Sequence, residues 1–140
     1  MIPGLAVFIA NHLGTIGPIP IILSLPIRFY PWIIAEITDF KRAPRYLYDD
    51  FVHPDWHLNG RFGMLVSTLL SKITVHMHNS IGCVSVDRKI GWTLEGFRNS
   101  LSLLEEGKNL LIFPEDPRLS LDPDTLMCPF MSGFVGLCRM

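Results

Sequence analysis

The stretch Trp92-Thr93-Leu94-Glu95-Gly96-Phe97-Arg98-Asn99-Ser100-Leu101-Ser102-Leu103-Leu104-Glu105-Glu106-Gly107-Lys108-Asn109-Leu110-Leu111-Ile112-Phe113 decides the fold class. Leu94, Phe97, Leu101 and Leu104 recur at i, i+3, i+7 and i+10, so Trp92 to Glu106 predicts an amphipathic helix. Gly107 supplies its C-terminal stop. Asn109 to Phe113 then reads as a buried strand. Just upstream, Gly82 precedes Cys83 to Val86, a second short strand. Strand, helix and strand over residues 82 to 113 predict a right-handed crossover unit of a parallel sheet.

The flanking segments extend that pattern. Leu5 to Ala10 is a continuous apolar run suited to a strand buried on both faces. Ile19 to Leu25 predicts a short helix closed by Pro26, and Trp32 to Ile37 a further strand. Thr38 to Gly60 is polar, charged and aromatic without a period and reads as an irregular insertion. Asn59 is placed to cap a helix over Arg61 to Lys72, with Phe62, Leu65, Val66, Leu69 and Leu70 on one apolar face. Ile73 to His78 continues that helix or forms a short strand. Pro114 to Asp124 reads as a loop, and Phe130 to Cys138 as a last helix. The expected architecture is α/β, with αβα layers around a mostly parallel sheet.

The 140 residues amount to one domain, 1–140, with enough length to bury a core. The hydrophobic content is 49% and the formal net charge is −1, which gives no electrostatic footprint for nucleic acid. Local basic clusters do stand at Arg28 and at Lys41-Arg42-Ala43-Pro44-Arg45, as solvated loops or as contacts to anionic head groups. Cys83, Cys128 and Cys138 show no Cys-x-x-Cys spacing and read as ordinary thiols in a reducing compartment. His53 and His57 flank Pro54 with no metalloprotease Glu, and His76 and His78 would share one side of a strand; neither pair makes a convincing metal site, so no metal is expected. Pro18 to Ile37 is the most apolar stretch, but Pro20, Pro26, Arg28 and Pro31 interrupt it, so it does not read as a membrane span. No secretory signal pattern opens the chain.

Three short segments hold the residues suited to chemistry. The first is Asn11-His12-Leu13-Gly14-Thr15-Ile16-Gly17-Pro18. The second is Gly82-Cys83-Val84-Ser85-Val86-Asp87-Arg88, and the third Phe113-Pro114-Glu115-Asp116-Pro117-Arg118. Each follows or ends an apolar strand, where open α/β sheets place their sites. A neutral His at a strand end can accept a hydroxyl proton near neutral pH. An Arg at a strand end can clamp a phosphate through two parallel hydrogen bonds. The ion pair Asp87–Arg88 is the competing structural role for that Arg.

Taken in this order the segments resemble the glycerolphosphate and lysophosphatidic acid acyltransferase (PlsC-like) family. That family carries a His-x4-Asp block, a Gly-x-Ile-Phe-Ile-x-Arg block and a Phe-Pro-Glu-Gly-Thr-Arg block. His12, Gly82, Arg88, Phe113-Pro114-Glu115 and Arg118 match, as does the Phe130-Met131-Ser132-Gly133-Phe134 segment that follows. Gly17 stands where the family has its catalytic Asp, and Asp116-Pro117 replace Gly-Thr. By this resemblance the chain is a single domain, partial at both ends.

The resemblance implies an acyltransferase of phospholipid biosynthesis. It would move a fatty acyl group from acyl-CoA or acyl carrier protein to the hydroxyl of a lysophospholipid-like or glycerol phosphate acceptor. It further implies His12 as the catalytic residue, with Arg88, Glu115 and Arg118 binding substrate. No cofactor beyond the acyl donor is implied, and the setting is cytoplasmic and membrane-associated, at a membrane surface. Two alternatives remain: a catalytically impaired relative that binds lipid or a partner at that surface, and an α/β fragment without a function of its own. Asp39, Asp49 and Asp50 are candidates to fold back in place of the missing carboxylate.

Overall fold

A computed structural model describes residues 6–11, 18–87, 94–115, 119–131 and 134–138. In chain order the elements are β1 (Val7–Ile9), α1 (Pro18–Ser24), β2 (Phe29–Ile34), α2 (Ala35–Thr38) and α3 (Ala43–Leu47). A π-helical turn (Tyr48–Val52), α4 (Gly60–Ile81), β3 (Val84–Val86), α5 (Leu94–Glu105), β4 (Asn109–Ile112) and α6 (Val135–Cys138) follow. The protein is α/β, with a four-stranded parallel sheet in the order β1-β4-β2-β3. β1 pairs with β4 from Val7↔Leu110 to Ile9↔Ile112, and β2 with β4 from Phe29↔Asn109 to Pro31↔Leu111. The chain divides into two compact units, one of residues 1–32 and 92–140, the other of residues 33–91.

In the first unit the core is built on β4. Leu110, Leu111 and Ile112 are all essentially buried. Full burial of such side chains stabilises by about 1.5–3 kcal/mol each. Phe29 of β2 is buried and meets Phe8 of β1 edge to face, with ring centroids 5.0 Å apart. Leu104 of α5 and Leu137 of α6 are also buried. The Trp32 indole N–H donates to Ser100 Oγ at 2.9 Å, which satisfies a polar atom on the inward face of α5. Helix α5 ends as its sequence dictates. Gly107 takes a φ of 73°, its N–H donates to Leu104 O, and the Lys108 N–H donates to Leu103 O. These two bonds form a Schellman cap, and the left-handed turn favours glycine.

The strand expected to be buried on both faces is instead at a sheet edge. Within β1, Ile9 is 42% exposed, and the doubly covered strand is β4. The expected strand at Trp32 to Ile37 runs from Phe29 to Ile34, and Pro31 lies inside it. Ala35–Thr38 turns helical, with the Thr38 hydroxyl donating to the Ala35 carbonyl at 3.0 Å. Thr38 to Gly60 is not irregular, since α3 and the π-helical turn lie within it. The last helix is shorter than expected, because Phe130 bridges to Glu115 as extended chain.

The second unit is organised around α4, a helix of 22 residues. It continues through Ile73 to His78, so His76 and His78 do not share a side. Asn59 makes no side-chain capping bond. Gly82, at a φ of 79°, closes the helix, with its N–H donating to Asn79 O and that of Cys83 to His78 O.

The main departure is the direction in which α4 faces. Its buried residues are Gly63, Ser67, Ser71 and Val75, four apart and therefore one stripe. That stripe packs against α2, α3 and the π-helical turn, near buried Ala43, Leu47 and Val52. Small side chains let the helices approach closely. A methyl at Gly63 would run into the Leu58 carbonyl oxygen and lie 2.8 Å from Tyr48 Cε2. Phe62, Leu65 and Leu69, expected to face the core, are exposed instead.

Candidate functional site

Of the residues expected at the site, Glu115 is described; His12, Gly17, Arg88 and Arg118 lie outside the described residues. β4 delivers Glu115 three residues beyond Ile112. Its side chain is buried, and Oε1 accepts the Cys128 backbone N–H at 3.1 Å. Glu115 also pairs with Phe130 in an isolated antiparallel bridge, and the Met131 N–H donates to the Pro114 carbonyl at 2.7 Å. The carboxylate therefore anchors the chain at 128–131 against the end of β4. A buried acceptor engaged by a backbone N–H is a structural tie as well as a charge near a strand end.

The chain leading to His12 leaves from the same end of the same strand pair. Beyond the Ile9↔Ile112 register, the Ala10 N–H donates to the Ile112 carbonyl at 3.1 Å. β1 and β4 thus end side by side. Asn11 follows β1 just as Phe113-Pro114-Glu115 follow β4.

The loop at 119–131 forms a small concavity beside this tie. Asp122 Oδ1 accepts the N–H groups of Asp124 and Thr125, at 2.8 and 3.1 Å. The Thr125 and Asp124 N–H groups hold the Asp122 carboxyl below its usual value. Leu126 adopts a φ of 54°, and its N–H returns to the Asp122 carbonyl. Asp122, Thr125, Met127, Cys128, Pro129 and Phe130 line a cavity of about 250 Å³. Sequence reading missed it, and the only signal is the Asp-Pro-Asp-Thr turn chemistry at 122–125.

In the second unit, β3 leads to Asp87 and then to Arg88. Asp87 lies 3.7 Å from Arg42, whose guanidinium also donates to Glu36 Oε1 at 2.6 Å. Asp87 thus has a cationic partner in Arg42. Ser85 Oγ on β3 is 3.2 Å from Thr38 Oγ1. Burial lowers the pKa of His78, opposed by a backbone hydrogen bond to Ile37. Its Nδ1 is buried without a hydrogen-bond partner. Burial raises the pKa of the Cys83 thiol, opposed by a backbone hydrogen bond. Two of the acids considered as replacements for the missing carboxylate are engaged locally. Asp39 Oδ1 accepts the Lys41 N–H at 2.8 Å, and Asp49 pairs with Arg45 at 2.7 Å.

Among the described residues no helix is long and apolar enough to cross a membrane. Comparisons with protein-family models, with curated proteins and with solved structures found no match.

Proposed function

We propose that this chain is an acyltransferase-type domain of phospholipid biosynthesis, acting on a glycerol phosphate or lysophospholipid hydroxyl with acyl-CoA or acyl carrier protein as donor. The observation that carries the reading is the order and spacing of three segments, which hold His12, Arg88, and Phe113-Pro114-Glu115 with Arg118. The paired ends of β1 and β4 support it, because the first and third segments continue from those two strands. The finer architecture, αβα layers of the glycerolipid acyltransferase kind, belongs to the same proposal, as does a cytoplasmic, membrane-associated setting.

In this reading His12 accepts the proton of the acceptor hydroxyl as its oxygen attacks the thioester carbonyl. The new C–O bond forms, the C–S bond breaks, and His12 returns the proton to the departing thiolate. Arg88 and Arg118 hold the acceptor phosphate. Glu115, tied to the Cys128 N–H, fixes the loop that follows the strand end.

Gly17 supplies no carboxylate to set the His12 tautomer. Loss of that partner costs up to about 10⁴-fold in other His–acid pairs. The expected rate is therefore low, and a catalytically impaired lipid-binding relative is the second reading, favoured by Gly17 itself. The test is thiol release from acyl-CoA in the presence of lysophosphatidic acid. Slow release that disappears in His12→Ala supports the enzyme. Release undiminished in His12→Ala refutes the role of His12, and lysophosphatidic acid binding with no release at all supports the second reading.

A further inference from the structure

Helix α4 is built inside out. Phe62, Leu65, Leu69, Ile73 and Met77 lie on one side at spacings of three and four, between 43% and 69% exposed. The opposite, buried side consists of Gly63, Ser67, Ser71 and Val75. An ordinary surface helix buries its large apolar side chains and exposes its small polar ones. Here the hydroxyls are satisfied within the helix. Ser67 donates to Gly63 O, Thr68 to Met64 O, Ser71 to Thr68 O, Thr74 to Leu70 O and Ser80 to His76 O, all at 2.7–2.9 Å. The stripe from Phe62 to Met77 runs about 23 Å along the helix at the usual rise per residue. An apolar stripe of that extent marks an interaction surface.

The charge pattern identifies the occupant. No Asp or Glu occurs between Asp55 and Asp87, while Arg61 and Lys72 are exposed on α4. They stand eleven residues apart, close to three full turns, and so flank the stripe on one side. Exposed Phe40 extends the apolar surface through its edge contact with the His76 ring, 5.2 Å between centroids. Such a helix suits the boundary of an anionic bilayer, with its apolar side among the acyl chains and its cations at the head groups.

We propose that the Phe62–Met77 side of α4 docks onto anionic lipid bilayers. This deepens the lipid-handling reading above and rests on it for its biological sense, but vesicle binding is measured without acyl donor, so docking and catalysis fail separately. The experiment is co-sedimentation of the whole chain with phosphatidylcholine vesicles, with and without phosphatidylglycerol. It is repeated for Leu65→Glu/Leu69→Glu and for Arg61→Ala/Lys72→Ala. All four side chains are exposed, so the variants keep the fold, which circular dichroism verifies.

The expected result is binding that requires phosphatidylglycerol and weakens with salt. Each removed cation should weaken it about fivefold. Each Leu→Glu change should weaken it on the order of tenfold or more. Absence of binding by the folded chain, or binding unchanged in either variant, overturns the proposal. So does self-association abolished by Leu65→Glu/Leu69→Glu without vesicle binding, which would assign the stripe to a second copy.

Discussion

Replacing Gly63 by Ala puts the packing of α4 to a quantitative test. The added methyl collides with the backbone carbonyl of Leu58 and sits 2.8 Å from Tyr48 Cε2. The first obstacle is main chain and cannot rotate away, so α4 or the 57–59 connection must shift. Overpacking of this kind costs about 1–3 kcal/mol. Ala gains about 1 kcal/mol over Gly in a helix interior. The net expectation is a loss of up to about 2 kcal/mol, and of about 1–3 kcal/mol relative to a Gly→Ala change that meets no obstacle, read as a lower midpoint in urea at unchanged slope by circular dichroism. Gly136→Ala is the internal control. Its methyl would find only Phe97 Cε2 at 3.7 Å, an ordinary contact, so that variant should match or slightly exceed the parent. A Gly63→Ala protein as stable as Gly136→Ala would refute the view that the small-residue face of α4 is the packed one.

Two further outcomes follow from the polar contacts. Glu115→Ala leaves the Cys128 N–H without its carboxylate and should lower stability by about 1–3 kcal/mol, whereas Glu115→Gln keeps an acceptor and should lose less; a thermal melt of the three proteins checks the order. His78 has a folded pKa below its unfolded value of 6.5, so the unfolded chain takes up the proton first as pH falls. Its contribution is complete above about pH 6.5 and is lost as pH drops through the lower folded value. Urea titrations across that window should show this slope flattened in His78→Gln, and an identical slope in both proteins would contradict it.

Legibility in the sequence was uneven for physical reasons. The run from α5 through Gly107 into β4 was readable because period, stop signal and apolar run agree, and the structure places a Schellman cap and a buried strand there. The apolar periodicity of α4 was equally plain, yet it gives a direction relative to the helix and not relative to the core. The core side was chosen by close approach at Gly63, Ser67 and Ser71, which hydrophobicity does not report. Residues 38–60 carry no long period because α3 and the π-helical turn are too short to show one. Pro31 looked like a strand boundary but lies within β2, where pairing with β4 outweighs local preference. At the site, the Phe-Pro-Glu segment pointed to Glu115, but its tie to Cys128 joins residues thirteen apart across a loop, which no local pattern encodes.

The central proposal is that this chain carries an acyltransferase-type site weakened at Gly17. Acyl transfer to lysophosphatidic acid by Gly17→Asp, compared with the parent and with Gly17→Asp/His12→Ala, tests it most directly. The account predicts a clear rise in thiol release on introducing the Asp, within the roughly 10⁴-fold that such a partner can supply, and loss of that rise when His12 is removed. A folded Gly17→Asp protein no faster than the parent, or a rise that survives His12→Ala, would contradict it.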